Sequence, residues 1–159
     1  MKDLAGSAET TVDATPEACF ELAAAVERYP SWNGEVIREV ELLAADSDGR
    51  PTRVRTVVHV AAGPITRDFR LVMDVEYSDH DAVCLSRVTD KPSGPEKFEV
   101  VWRISAGPPT RLAIELSATL EVPRLVPLGG VGDRVAQGFA DAAKRELEGS
   151  SAKASASSS

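Results

Sequence analysis

Few side chains in this sequence are of a type and placement that could do chemistry. There are two histidines, His59 and His80, and two cysteines, Cys19 and Cys84. An imidazole titrates near neutral pH and is the commonest general acid or base. His80 stands between Asp79 and Asp81 in a turn-like stretch, the setting of a solvated ring. His59 lies in an alternating segment and shares parity with Arg53, Arg55 and Val57. Simple alternation therefore turns it outward, unless a bulge reverses the face. The cysteines are far apart without metal-type spacing, and read as reduced, buried thiols rather than a disulfide or zinc site. The chain has no Gly-x-Ser-x-Gly elbow, no His-x-x-x-His pair and no Cys-x-x-Cys pair. Gly129-Gly130-Val131-Gly132 lacks a P-loop lysine and a preceding parallel strand, so it reads as a flexible hinge before a helix. These patterns identify no catalytic set, no metal site and no cofactor.

Two arginines stand in apolar company. Arg67 shares parity with Ile65, Phe69, Leu71 and Met73, and Arg87 with Val83 and Leu85. A guanidinium on an apolar face must be paired, solvated or bound to a polar group of a ligand. Arg67 is two residues into its segment, so it either snorkels to solvent or reaches a ligand. Arg87, near a segment end, carries the same ambiguity.

The elements that would position these residues follow from periodicity. A first strand is expected over Ser7 to Asp13. Thr15 reads as an N-cap, with Pro16 at the first helical position and Glu17 at the positive end of the dipole. The helical stretch runs from Pro16 to Trp32, with Pro30 as its stop. Alternation then predicts strands over Glu35–Ala45, Thr52–Ala61, Ile65–Tyr77, Ala82–Val88, Lys97–Ser105 and Arg111–Val122. Short turns without helical crossovers make this an antiparallel meander with one oily face and one wet face. A closing helix from about Val126 to Leu147 puts Leu128, Val131, Val135, Phe139 and Ala142 on one face.

That helix must cover the oily face, and its inward side is modest. Gly138 and Ala142 either leave room for a cavity or allow close helix–sheet packing. If a cavity forms, its ligand-binding wall is expected from Phe69, Leu71, Met73, Tyr77, Phe98, Trp102, Val135 and Phe139, with Arg67 and Arg87 as polar contacts. Each apolar member also reads as plain core. One domain is expected over residues 1–149, followed by a disordered tail over 150–159 of Ser, Ala and one Lys.

Charge narrows the partners. A net charge of −7 and a pI near 4.9 argue against nucleic acid and against docking on anionic membranes. No apolar run approaches the roughly 20 residues of a membrane span, and no charged-then-apolar leader is seen, so a cytoplasmic protein without stable membrane insertion is expected. Oligomeric state is left open.

Two segments carry a resemblance. Val12-Asp13-Ala14-Thr15-Pro16-Glu17-Ala18-Cys19-Phe20, followed by Val26-Glu27-Arg28-Tyr29-Pro30-Ser31-Trp32, resembles the START-like or SRPBCC superfamily of polyketide cyclase/dehydrase and lipid-transport proteins. The resemblance implies an α+β helix-grip fold like that of the birch-pollen allergen. In it a curved antiparallel sheet of about seven strands wraps a long C-terminal helix, with one or two short helices after the first strand. It also implies a hydrophobic cavity whose ligands in other members are lipids, isoprenoid quinones, plant hormones or polyketide chains. Tyr29, Pro30 and Trp32 would either stabilise the connection to the second strand or touch the ligand. The expected function is binding of a hydrophobic small molecule; the alternative is a polyketide aromatase/cyclase or dehydratase acting in the same cavity.

Overall fold

The computed structural model describes residues 2–62, 65–78, 81–88, 97–107, 109–120 and 130–157. His80, the loop over 89–96, the turn residues 63–64 and 108, and the expected helix start at 126–129 lie outside the described residues.

Thr15 caps the first helix as its sequence position predicts. Its Oγ1 accepts from Ala18 N at 3.1 Å, and Pro16 and Glu17 occupy the first turn. This helix, α1 (Pro16–Ala24), buries Cys19, Phe20, Ala23 and Ala24. The expected continuation to Trp32 is broken. The chain leaves the helix at Ala25, makes a 3-10 turn (Val26–Arg28) and restarts as α2 (Tyr29–Asn33). Pro30 explains the break. In an unbroken helix its nitrogen would have to donate to the Val26 carbonyl, whereas the first turn of a new helix needs no donor there.

The strands are β1 (Lys2–Val12), β2 (Ile37–Ala45), β3 (Pro51–Ala62), β4 (Ile65–Ser78), β5 (Ala82–Arg87), β6 (Lys97–Ser105) and β7 (Thr110–Leu120). They form one sheet in the order β1-β7-β6-β5-β4-β3-β2, with every neighbouring pair antiparallel. The closing helix is α3 (Val131–Ser157). This is the helix-grip arrangement, and alternation fills its core. Val100, Trp102 and Ile104 on β6 and Leu112, Ile114 and Leu116 on β7 are buried, while Arg103 and Glu115 lie outside, 4.0 Å apart. β1 starts at Lys2 rather than Ser7. Ala5 and Gly6 are poor strand formers, but continuous pairing of Lys2 to Val12 with β7 overrides their propensity.

α3 is fastened along β1, one of the two outermost strands. Gly6 and Gly132 cross so closely that a Cβ on Gly6 would overlap the main chain of Gly132, and one on Gly132 the carbonyl of Ala5. Gly132 is thus a buried contact point rather than the flexible hinge its sequence suggests. Along the same seam Asp133 Oδ1 accepts from Ser7 N at 3.1 Å, Lys144 Nζ donates to Thr11 O at 2.6 Å, and Glu148 Oε2 accepts from Asp13 N at 3.1 Å. The Asp13 N–H, helped by Lys144, holds the Glu148 carboxyl below its ordinary range. The helix continues to Ser157, beyond Gly149 where the sequence expects disorder to begin. Extending an existing helix needs no new nucleus, and Ala and Lys are good helix formers.

Two outcomes are expected from this packing. Gly6→Ala should cost about 1–3 kcal/mol of stability by forcing two backbones apart. Gly138→Ala, with open space around its Cβ position, should be neutral or stabilise by up to about 1 kcal/mol; denaturant unfolding of both variants measures the contrast. Deleting residues 150–159 should leave Tm within about 2 °C of the parent, as followed by thermal melting.

Candidate functional site

An enclosed apolar hollow lies between the sheet and α3. β3 supplies Val58 and Val60, β4 supplies Met73, β6 supplies Phe98 and Val100, and α3 supplies Val135 and Phe139. Two lining residues carry hydroxyls, and both hydroxyls are turned to the main chain. Thr56 Oγ1 donates to Leu71 O at 3.2 Å, and Tyr29 Oη donates to Ala23 O at 2.5 Å. The walls therefore present apolar surface alone. The hollow has a volume of only about 30 Å³. This is a set of narrow clefts, well below the roughly 300–1,000 Å³ of pockets that enclose small molecules. A ligand must part the walls to enter.

One end of the hollow is closed by aromatic rings. Tyr29 and Trp32 stand 5.1 Å apart, and Phe139 packs edge-on against Tyr29, Trp32 and Trp102 at 6.2, 6.2 and 5.9 Å. The cluster joins α2, β6 and α3 through edge-to-face contacts. Burial pushes the Tyr29 phenol far up from its ordinary value.

Outside the hollow, a groove of about 630 Å³ runs between α3 and the chain entering β2. Val36 and Val135 line both spaces, so two half-buried valines form the partition between them. Arg38, Arg134 and Arg145 line the groove, with Glu35, Asp141 and the exposed, side-chain-free position Gly138. His59 also borders it. Its ring points to the outer face as parity predicts, and Nδ1 lies 2.6 Å from Asp68 Oδ1. No group of three His, Cys, Asp or Glu side chains able to hold a metal ion occurs among the described residues.

The residues singled out from sequence fall into three groups. Met73, Phe98, Val135 and Phe139 line the hollow together. Leu71 and Trp102 are buried beside it, Trp102 within the aromatic cluster. Tyr77 lies away from it. Its hydroxyl donates to Pro51 O at 2.5 Å and its ring meets Phe20 at 6.1 Å, which ties β4 to β3 and α1. Phe69 is half-buried beneath Arg67, whose guanidinium sits 5.7 Å from the ring centre. Arg67 is opposite the hollow-lining Val60 but is exposed, and does not line the hollow; Arg87 is half-buried opposite Met73 at the end of β5. Cys19 is buried and Cys84 half-buried, and burial raises both thiols. The expected wall left out Val58 and Val60, although their parity puts them on the apolar face of their strand. Sequence reasoning also missed Arg38, Arg134 and Arg145, which read as an ordinary wet face.

Residues 12–144 match the profile of the family described as polyketide cyclase / dehydrase and lipid transport. The chain belongs to that family. Among solved structures, this family member is similar to a START superfamily protein from Mycobacterium smegmatis, at 25% identity and a TM-score of 0.70, over 91% of this chain and 97% of that one. It shares its fold with the Zhui aromatase/cyclase from Streptomyces sp. R1128, at 16% identity and a TM-score of 0.67, over 92% of this chain and 94% of that one. A protein from Thermus thermophilus aligns at 22% identity and a TM-score of 0.58, over 98% of this chain and 99% of that one. No curated protein matches the sequence. The fold is of the START/polyketide cyclase type, which binds hydrophobic ligands, and among the described residues no helix is long and apolar enough to cross a membrane.

The two tyrosines are the only ones in the chain, and both are held neutral, Tyr77 by burial that raises it to about 12. Unfolded phenols ionise near pH 10, so the unfolded state loses its protons first. The stability these groups contribute is complete below about pH 10 and is lost as pH rises through about 12. Tyrosinate absorbance should therefore appear together with loss of circular dichroism; free titration of either ring near pH 10 in the folded protein would contradict it.

Proposed function

We propose that this protein binds and sequesters a hydrophobic small molecule, of lipid, isoprenoid or polyketide-like character, in the hollow between its sheet and α3. The apolar lining carries the reading: both hydroxyls on the wall donate to main-chain carbonyls, so what the site offers is apolar burial. Each buried methylene is worth about 0.8 kcal/mol, enough for a chain or ring system to repay the parting of narrow walls. Met73 and Phe98 suit such adjustment, being an unbranched thioether and a half-buried ring. The route runs through the groove and past the Val36–Val135 partition. We propose a cytoplasmic setting as well, in keeping with two free thiols.

A cyclase or dehydratase would need an acid and a base beside the bound chain. The pair available near the site is His59–Asp68, which borders the groove rather than the hollow. That placement makes binding the better-supported function.

Native mass spectrometry of the protein from its own host, followed by extraction, should reveal a bound apolar compound. In vitro, Val135→Trp should fill the partition and weaken uptake of an apolar fluorescent probe at least tenfold with little change in Tm. Undiminished uptake by that folded variant would place the ligand elsewhere.

A further inference from the structure

We propose that the groove between α3 and the chain entering β2 receives the acidic head of an amphiphile, a carboxylate whose hydrocarbon tail lies in the apolar hollow. The proposal rests on the binding reading above and adds the ligand's polar end.

Charge is the first observation. In a chain of net charge −7, three arginines converge on this groove. Arg50, Arg53, Arg55, Arg103 and Arg111 each have a carboxylate within 4.0 Å. Arg38, Arg134 and Arg145 have none among the described residues, and all three are exposed. Of the acidic groups on the wall, Asp141 accepts from Gln137 Nε2 at 2.9 Å, and Glu35 is the remaining carboxylate. Asp68, beyond the wall, is engaged by His59. Three cations against two lining carboxylates suit a monoanion better than a doubly charged head, which would be repelled by Glu35 and Asp141.

Hydrogen-bonding capacity points the same way. The Trp32 indole N–H and the Asn33 amide N–H are buried donors without an acceptor among the described residues, and both residues line the groove. Those two N–H groups are buried, so the donors that face the groove are the three guanidinium groups, which suit a carboxylate.

Continuity supplies the tail. Arg134 adjoins Val135, the partition residue, so an anion held at Arg134 has the hollow directly behind it. Arg134, Gly138, Asp141 and Arg145 follow one another at helical spacing along the same face of α3. Gly138 leaves the floor of that face clear for the first carbons of a chain.

The test compares cis-parinaric acid with its methyl ester, which differ in charge but hardly in shape. Fluorescence titration should show the acid binding the parent protein at least tenfold more tightly than the ester. In the exposed-site variant Arg38→Gln/Arg134→Gln/Arg145→Gln, with fold checked by circular dichroism, acid and ester should bind alike. Equal binding of the two probes to the parent, or a preference that survives in the variant, would overturn the head-group assignment while leaving apolar binding intact. Failure of both probes to bind the parent would instead overturn the binding reading, and this proposal with it.

Discussion

Gly6 and Gly132 let the main chain of α3 rest directly on that of β1, and the character of the site depends on which flank of the helix this contact occupies. On that flank Asp133, Lys144 and Glu148 reach main-chain groups of β1 and the residue that follows it, so the helix is held by backbone contact and three directed bonds. On the other flank it faces the start of β2 across a groove. β1 and β2 stand at opposite ends of the strand order, so the curled sheet meets the helix once tightly and once loosely. A wall that must part to admit a ligand can part on the loose flank without breaking the seam.

The chemistry of the interior follows from its hydrogen bonds. A hydroxyl left unpaired among carbon walls would cost roughly 1–3 kcal/mol, and Thr56 and Tyr29 avoid this by donating to nearby carbonyls. Satisfying them also commits their protons, so neither serves as a donor or acid toward a ligand. Polar function lies outward, at the rim where Arg38, Arg134, Arg145 and His59 line the groove. The site is thus divided into an oily interior and a donor-rich mouth, with Val36 and Val135 at the boundary.

Much of the fold was legible in the sequence because strand alternation and the Thr15–Pro16–Glu17 cap are local signals. Six of the strands fall close to their expected positions. The helix break at Ala25 was less visible, since Pro30 acts on a carbonyl four residues upstream. The binding wall was legible by face but not by depth. Parity puts Tyr77 on the same side as Met73, yet four residues of strand carry it about 13 Å along the sheet, where it braces β3 and α1 instead. Arg67 shows the same limit: it shares a face with its neighbours but sits where the side chain is exposed. The Gly6–Gly132 contact and the convergence of Arg38, Arg134 and Arg145 on one groove depend on residues distant in the chain, so no local pattern encodes them.

The side chains that fasten α3 also have a consequence for self-association. A sheet of this kind has two outer strands whose free main-chain groups could template the addition of a further strand. Along β1, those of Ser7, Thr11 and the adjoining Asp13 are occupied by the helix. Cross-β growth would have to begin on β2, and there the ladder is irregular at Ile37/Glu39 and Leu42/Ala44, while Arg38, Glu39 and Glu41 place charge along it. Leu42 and Leu43 are exposed on that strand, so at that border bulges and charge are what oppose aggregation, while at β1 the helix takes up part of the edge.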